Sequence, residues 1–411
     1  MEGKKKRISL EGAREKLRQA ATPVGLETLP FSGCLGRVAA ETVRSDVSVP
    51  PFDRSPLDGY ALRADDTAGA SIENPVRLTV TEEIAAGSVP AVEVTPGTAA
   101  KILTGAPMPG GADCVVRFES TEFDARAVSL FAPLSAGENV VPAGDDIKPG
   151  EIIINAGEVV TAAHLGLLAS ADCLNIGVFR RPKIALINTG DEITEPGEPL
   201  PPGKIRNSAR YVIGAMLAEA GAAVSDGYTV PDRAEPLAEL ISELLRGHDM
   251  VVTTGGVSVG DYDMVRRAVS LAGGNELFWK VAFRPGGTIL ASEIGGKTVL
   301  GLSGNPSSAA LGMYLLGLPH VRLMAGRAAI YPIRTRALLL APIHKDSPHG
   351  RVAMGSLEVD AGRVGFRPVP SEGHGAVSSM LGCNLIADIP PGTPPLPAGA
   401  EVDAYWVDNL C

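Results

Sequence analysis

Met250, Val251, Val252 and Thr253 run without a break into Thr254-Gly255-Gly256-Val257-Ser258-Val259-Gly260, and Asp261-Tyr262-Asp263 follows at once. An apolar, β-branched run that ends in a Gly/Ser loop reads as a buried strand whose carboxyl end opens into a turn. Glycines there let backbone N–H groups close on an oxyanion, and Ser258 adds a hydroxyl donor. The two carboxylates that follow suit a magnesium ion bridging to a phosphate. The loop is therefore a candidate phosphate and metal site.

The segments around it repeat the pattern. Residues 183–187 read as a strand, and Ser208 caps a helix through Val212, Ala215, Met216 and Ala220 that Gly221 stops. Residues 224–230 read as a strand, and 233–246 place Leu237, Leu240, Ile241, Leu244 and Leu245 on one helical stripe. A helix over 264–271, a strand over 298–302 and a helix over 306–316 complete the alternation. Such a series predicts a mostly parallel sheet wrapped by helices, with ligands beyond the carboxyl ends of its strands. Three polar loops fall at those ends: Asn188 to Glu192, Thr254 to Asp263, and Ser303 to Pro306.

On either side the texture changes. A helix is expected over 9–28, capped by Ser9. Between 31 and 176, short apolar stretches at 76–80, 99–103, 114–118, 128–131 and 152–154 sit between Gly/Pro clusters, the signature of a β-rich region. One helix closes it at 160–172. From 331 to 411 short alternating strands return, which predicts a small separate β domain. The expected fold is multidomain, α/β plus β: a central, mostly parallel α/β sheet domain, β-rich N-terminal domains and a small C-terminal β-barrel-like domain.

Composition excludes several functions. A formal net charge of −10 argues against a nucleic-acid partner, and Lys4-Lys5-Lys6-Arg7 is the sole basic run, read as a solvated N-terminus. No apolar stretch reaches the ~18 residues of a membrane span. Five scattered cysteines without a Cys-x-x-Cys pair suit reduced thiols in a cytoplasm, and six dispersed histidines show no zinc spacing. No Gly-x-x-x-x-Gly-Lys-Ser/Thr and no helix-opening Gly-x-Gly-x-x-Gly appears, which argues against Walker-type nucleotidases and dinucleotide dehydrogenases.

Further motifs carry two readings each. Pro51 to Ala61 packs Asp53, Arg54, Ser55 and Asp58 into a proline-bounded loop, and Lys101 to Pro109 places the Thr104 hydroxyl at a strand end. Both are also good turn chemistry. Asp191-Glu192 at a strand end suits a metal or sugar hydroxyls, or a helix cap. Gly301 to Ser308 opens a helix whose free N–H groups favour an anion. Lys280 and Arg284 flank apolar residues and can meet a polyanion, or are simply solvated. The residues alone point to an enzyme that binds a phosphorylated small molecule with Mg²⁺ at a sheet edge.

Taken together, these segments resemble the molybdopterin molybdenumtransferase family, of the bacterial MoeA and gephyrin E-domain type, over essentially the whole chain. The resemblance rests on residues 51–61, 102–116, 188–193, 254–263 and 301–308 in family order and spacing. It implies insertion of molybdate into adenylylated molybdopterin, with Mg²⁺-dependent cleavage of the pyrophosphate bond to give molybdenum cofactor and AMP. It also implies a cytoplasmic homodimer with its site between subunits, with a molybdopterin adenylyltransferase as a candidate partner. The implied division is 1–45 with 147–178 as a linker and dimerisation unit, 46–146 β-rich, 179–328 molybdopterin-binding and 329–411 C-terminal.

By the same resemblance, Asp58, Thr104, Glu192 and Asp263 carry the chemistry. Gly255, Gly256, Ser258, Asp232, Lys280, Arg284, Asn305 and Ser308 bind substrate and phosphate, and Glu192, Asp263 and Asp146 lie toward the metal. Three places depart from the family. Its usual Lys-Pro-Gly-Lys-Pro is Arg284-Pro285-Gly286-Gly287-Thr288, its Leu-Pro-Gly-Asn-Pro is Leu302-Ser303-Gly304-Asn305-Pro306, and a usual Ser is His374. Arg284 binds oxyanions as a fork where Lys is a point charge, one cation is lost at Gly287, and a protonated His374 restores a donor. Those departures leave two alternatives open: a tungstate-preferring insertase, or a non-catalytic molybdopterin carrier or scaffold.

Overall fold

The computed structural model describes residues 7–225, 227–257, 264–347, 349–360, 362–370 and 376–407. Its central sheet runs in the order Ala223–Val224, Lys183–Thr189, Met250–Thr254, Lys297–Leu302, Leu290–Ile294, Asn275–Trp279, and Tyr228–Val230 also pairs with Lys183–Thr189. The first four strands are parallel and the last two antiparallel. The alternation along each strand explains the layering. Ile184, Leu186, Met250, Val252 and Leu300 join one core with the Ala209–Glu219 helix. Ala185, Ile187, Val251 and Val299 join the opposite core with helices Ala234–Gly247 and Met264–Leu271. Each fully buried Leu, Ile or Val contributes about 1.5–3 kcal/mol, so a strand apolar on both faces is held at the centre.

Three expectations change in detail. The helix over 9–28 ends at Ala20 and the chain re-forms as strand Leu26–Pro30, because Pro23 lacks an N–H and disfavours helix before it. The strand over 224–230 is two pieces. Lys183 pairs with Ala223 but Ile187 with Tyr228, so the second chain carries one residue more than the first between the pairs. The helix from Pro306 is α-helical to Gly312, makes one wide π turn over Met313–Gly317, and resumes as Leu318–Met324. Pro319 is the reason: it has no N–H for the carbonyl of Leu315 four residues back.

Around this centre lie three β units. A six-stranded sheet orders Cys114–Arg117, Gly59–Leu62, Thr98–Ile102, Val76–Ile84, Ala127–Leu130 and Thr121–Phe123. A smaller unit pairs Leu26–Pro30 with Asn175–Phe179 and Val43–Arg44 with Ile152–Ile154, and packs the Ala162–Ser170 helix over Cys34, Ile154 and Val178. The C-terminal sheet orders Arg334–Leu338, Glu401–Trp406, Leu385–Ile389, Arg351–Asp360 and Arg363–Pro368, all antiparallel. It curls until Leu339 bridges to Phe366, which makes it a half-barrel. No described helix is long and apolar enough to cross a membrane.

The N-terminal helix is tied to the helix that follows the wide turn. His320 is 3% exposed, and its Nδ1–H donates to the Leu17 carbonyl at 3.1 Å. Burial pushes its pKa from 6.5 down to about 4, so the folded chain holds the neutral ring. As pH falls below 6.5 the unfolded chain takes up a proton that the folded chain refuses until about 4. Stability is therefore lost as pH falls through that window, on the order of 2 kcal/mol by pH 5. Thermal unfolding followed from pH 7 to 5 is expected to show a falling midpoint in the native chain. A shallower fall is expected in His320→Gln, and equal slopes would remove His320 as the cause.

Candidate functional site

The parallel register sets Asn188 beside Thr254, and Thr254 beside Leu302, so three strands end level. The Asn188 amide donates to the Thr254 hydroxyl at 2.5 Å, while the buried Asn188 Oδ1 and Thr253 Oγ1 have no partner among the described residues. The loops beyond these ends touch through backbone. Gly255 has φ +90°, and a Cβ there would lie 2.4 Å from the Thr189 carbonyl oxygen. A Cβ on Gly304 would meet the Gly255 Cα at 3.3 Å. Gly256 also has a positive φ, +64°. Only glycine admits this approach, and it leaves backbone N–H groups near the edge.

Acids gather beside the glycine loop. The Glu192 carboxylate folds over Gly190, where a Cβ would come within 2.6 Å of Oε2. Asp232 is raised above its usual value, first by desolvation and then by the negative charge of Glu192, with Asp191 adding to it. These three carboxylates share one field. Ser258, Asp263 and His374 lie outside the described residues.

The third loop starts a helix. Asn305 Oδ1 accepts from the Ser308 N–H at 3.2 Å and from the Ser307 hydroxyl at 3.0 Å. Asn305 is thus an N-cap, which orients this helix end. Against it packs the 284–287 loop: a Cβ on Gly286 would sit 2.6 Å from the Ser308 carbonyl oxygen. Arg284 is exposed on that loop. A Cβ on Gly287 would meet the Phe283 carbonyl at 2.2 Å, so the backbone has no room for the Lys that the family carries. Lys280 has φ +67° and places its ammonium 3.6 Å over the Trp279 ring. The basic N-terminus is not merely solvated at its end: Arg7 donates to the Val281 carbonyl, and burial, then the Arg284 charge, lowers its pKa.

One partner of this loop had no local signal in the sequence. The Val352 N–H donates to the Arg284 carbonyl at 2.9 Å, which sets Arg351 of the C-terminal sheet beside Arg284. Arg351 lines a cavity of about 370 Å³ with His344, Lys345 and Pro368. Its distance along the chain from Arg284 hides the pair from any motif.

The β-rich sheet holds a second group. Asp58 Oδ1 accepts from the Thr104 N–H at 2.7 Å and from its hydroxyl at 2.8 Å. Those two bonds hold the carboxyl below its usual range. Asp53 Oδ1 accepts from the Ala143 N–H at 2.7 Å, so the 51–61 loop also meets the segment that carries Asp146. Asp146 is exposed, its N–H bonded to Val49. Within one chain the structure unites Asp58 with Thr104, and Glu192 with Asp232. Among the described residues no three His, Cys, Asp or Glu side chains stand close enough to hold a metal.

Family models match three consecutive stretches. Residues 8–171 match the MoeA N-terminal region (domain I and II), 185–323 a probable molybdopterin binding domain, and 336–407 the MoeA C-terminal region (domain IV). The chain is 34% identical over 404 residues to a molybdopterin molybdenumtransferase of Staphylococcus epidermidis, covering 98% of this chain and 96% of that one. It belongs to the molybdopterin molybdenumtransferase family. A Bacillus subtilis member is 35% identical over 385 residues, covering 93% of this chain and 90% of that one. A crystal structure of a molybdopterin biosynthesis MoeA protein from Pyrococcus horikoshii superposes with a TM-score of 0.80 at 32% identity, covering 98% of this chain and all of that one. The multidomain α/β plus β architecture is that of this family. The molybdopterin-binding match encloses Glu192, Asp232 and the glycine loop, and the N-terminal match encloses Asp58, Thr104 and Asp146.

Proposed function

We propose that this chain inserts molybdate into adenylylated molybdopterin, cleaving the pyrophosphate bond with Mg²⁺ to leave molybdenum cofactor and AMP. The observation that carries the reading is the level sheet edge, where a glycine loop, a helix start and three acids converge. The glycine loop and the helix N-terminus supply N–H donors to phosphate oxygens. Arg284 and Arg351 supply forks that match a tetrahedral oxyanion. The Thr104 hydroxyl donates its hydrogen bond to Asp58, which leaves its oxygen lone pairs as acceptors.

Glu192 and Asp232, with Asp263, would hold the magnesium ion. The fit is electrostatic: Asp232 is raised first by burial and then by the charges of Glu192 and Asp191, and a hard divalent cation with oxygen ligands would relieve that crowding. When bound, the ion would offset phosphate charge. We further infer a cytoplasmic homodimer, in which a second copy brings the Asp58 and Asp146 group to the Glu192 edge. A molybdopterin adenylyltransferase would deliver the substrate.

One assay tests this. The purified chain is mixed with adenylylated molybdopterin, Mg²⁺ and either molybdate or tungstate, and AMP and active cofactor are followed. AMP release with low molybdate is the expected outcome. A strong tungstate preference would reassign the metal, and bound pterin without AMP under either oxyanion would make the chain a carrier.

A further inference from the structure

The wide turn at Met313–Gly317 leaves a question of hydrogen bonding. Pro319 cannot donate to the Leu315 carbonyl, and an unpaired carbonyl in a buried helix is costly. Arg14 of the N-terminal helix answers it: its Nε donates to Leu315 O at 3.1 Å. The same guanidinium does more. Its Nη1 donates to the Tyr405 hydroxyl at 3.3 Å, and its Cζ lies over the Tyr331 ring, 5.0 Å from the centroid, and over the Tyr405 ring, 4.9 Å from the centroid. Tyr331 lies between the Leu318–Met324 helix and the first strand of the C-terminal sheet, and Tyr405 lies in the last strand. Arg14 therefore touches three segments that are far apart in sequence.

The contacts continue toward the candidate site. The Tyr405 hydroxyl donates to Asp388 Oδ2 at 3.1 Å. Asp388 pairs with Val352 across neighbouring strands, and the Val352 N–H holds the Arg284 carbonyl. At the other end, the helix that Arg14 grips through Leu315 begins at Asn305, beside the Arg284 loop. Both routes from Arg14 end at one junction, where the C-terminal sheet meets residues 284–287.

We propose that Arg14 is a positioning residue: by bridging the wide turn to Tyr405 it seats the C-terminal sheet on the Arg284 loop, and so keeps Arg284 and Arg351 in register for the oxyanion. The inference rests on the reading of that junction as the oxyanion side of the site. A guanidinium suits the task because it offers a fork of donors and a flat face at once. Lysine at this position keeps the charge and loses both the fork and the stacking plane. Small displacements of binding groups are expensive in rate and affinity.

The test uses the full chain with Arg14→Lys, Tyr405→Phe and the double variant. Steady-state kinetics are measured against molybdate and, separately, against adenylylated molybdopterin, and hydrogen exchange is followed in peptides covering Val352. Arg14→Lys is expected to raise the KM for molybdate by about tenfold. The KM for the pterin should stay within about twofold, because the glycine loop is not displaced. The Val352 peptide should exchange faster while the Met250–Thr254 strand stays protected. Tyr405→Phe should act in the same direction, and the double variant should add little to Arg14→Lys because the residues act as one unit. A folded Arg14→Lys with unchanged molybdate KM and unchanged Val352 exchange overturns the proposal, as does exchange quickened equally in both strands. If the native chain itself shows no molybdate turnover, the functional reading fails, and the exchange measurement still decides whether Arg14 seats the sheet.

Discussion

Asp58→Ala is expected to lower molybdate-dependent turnover by about 10²-fold or more, the scale on which a positioned acid–base or orienting group acts. Its carboxylate is exposed and takes no part in a core, so the fold should survive. What disappears is the anchor for Thr104: both its N–H and its hydroxyl turn to solvent, and the hydroxyl is free to rotate. Thr104→Ala should therefore lose a similar factor, and the double variant little more than either single one. Turnover and thermal unfolding measured side by side decide the matter, and full activity in a folded Asp58→Ala would take both residues out of the site. Glu192→Ala should be as damaging for a different reason. It also carries a spectroscopic signature: with the Glu192 charge gone, the Asp232 titration should move down toward its ordinary value. An Asp232 titration that does not move would mean that the two carboxylates share no field.

Gly255→Ala should be the most disruptive single change at the sheet edge. Two costs meet there: a backbone φ of +90°, and a Cβ 2.4 Å from the Thr189 carbonyl oxygen, which is backbone and has nowhere to go. The first alone costs about 1 kcal/mol or somewhat more. The second forces two adjacent strand ends apart and should bring the total to roughly 3 kcal/mol or above. Gly197 provides the control, with a φ of +93° and no atom within 4 Å of its Cβ position. Denaturant midpoints of Gly255→Ala and Gly197→Ala separate conformational cost from steric cost. Equal losses would show that the close approach at Gly255 adds nothing.

Much of this was legible in the residues because the signals are local. An apolar run on both faces, stopped by glycines, marks Met250–Thr254 as a central strand whatever surrounds it. The stripe through Leu237, Ile241 and Leu244 forms a helix for the same kind of reason. The ends of apolar runs likewise placed the loops of Glu192 and of Gly255-Gly256 at one sheet edge, while Asp232 was given only by the family resemblance. What periodicity could not supply was partnership across distance. Leu290–Ile294 joined the parallel sheet antiparallel to Lys297–Leu302, and Asn275–Trp279 antiparallel to Leu290–Ile294, which no pattern of period two encodes. Asp58 and Thr104 meet because two strands of one sheet, Gly59–Leu62 and Thr98–Ile102, bring their loops together. Arg14 has a role only because Pro319 empties a carbonyl some 300 residues away and the fold delivers a guanidinium to it. Sequence determined the elements and the chemistry of their ends, since both depend on near neighbours. Packing of distant segments decided register, charge crowding and the contacts between domains, since those energies exist only once the chain has closed on itself.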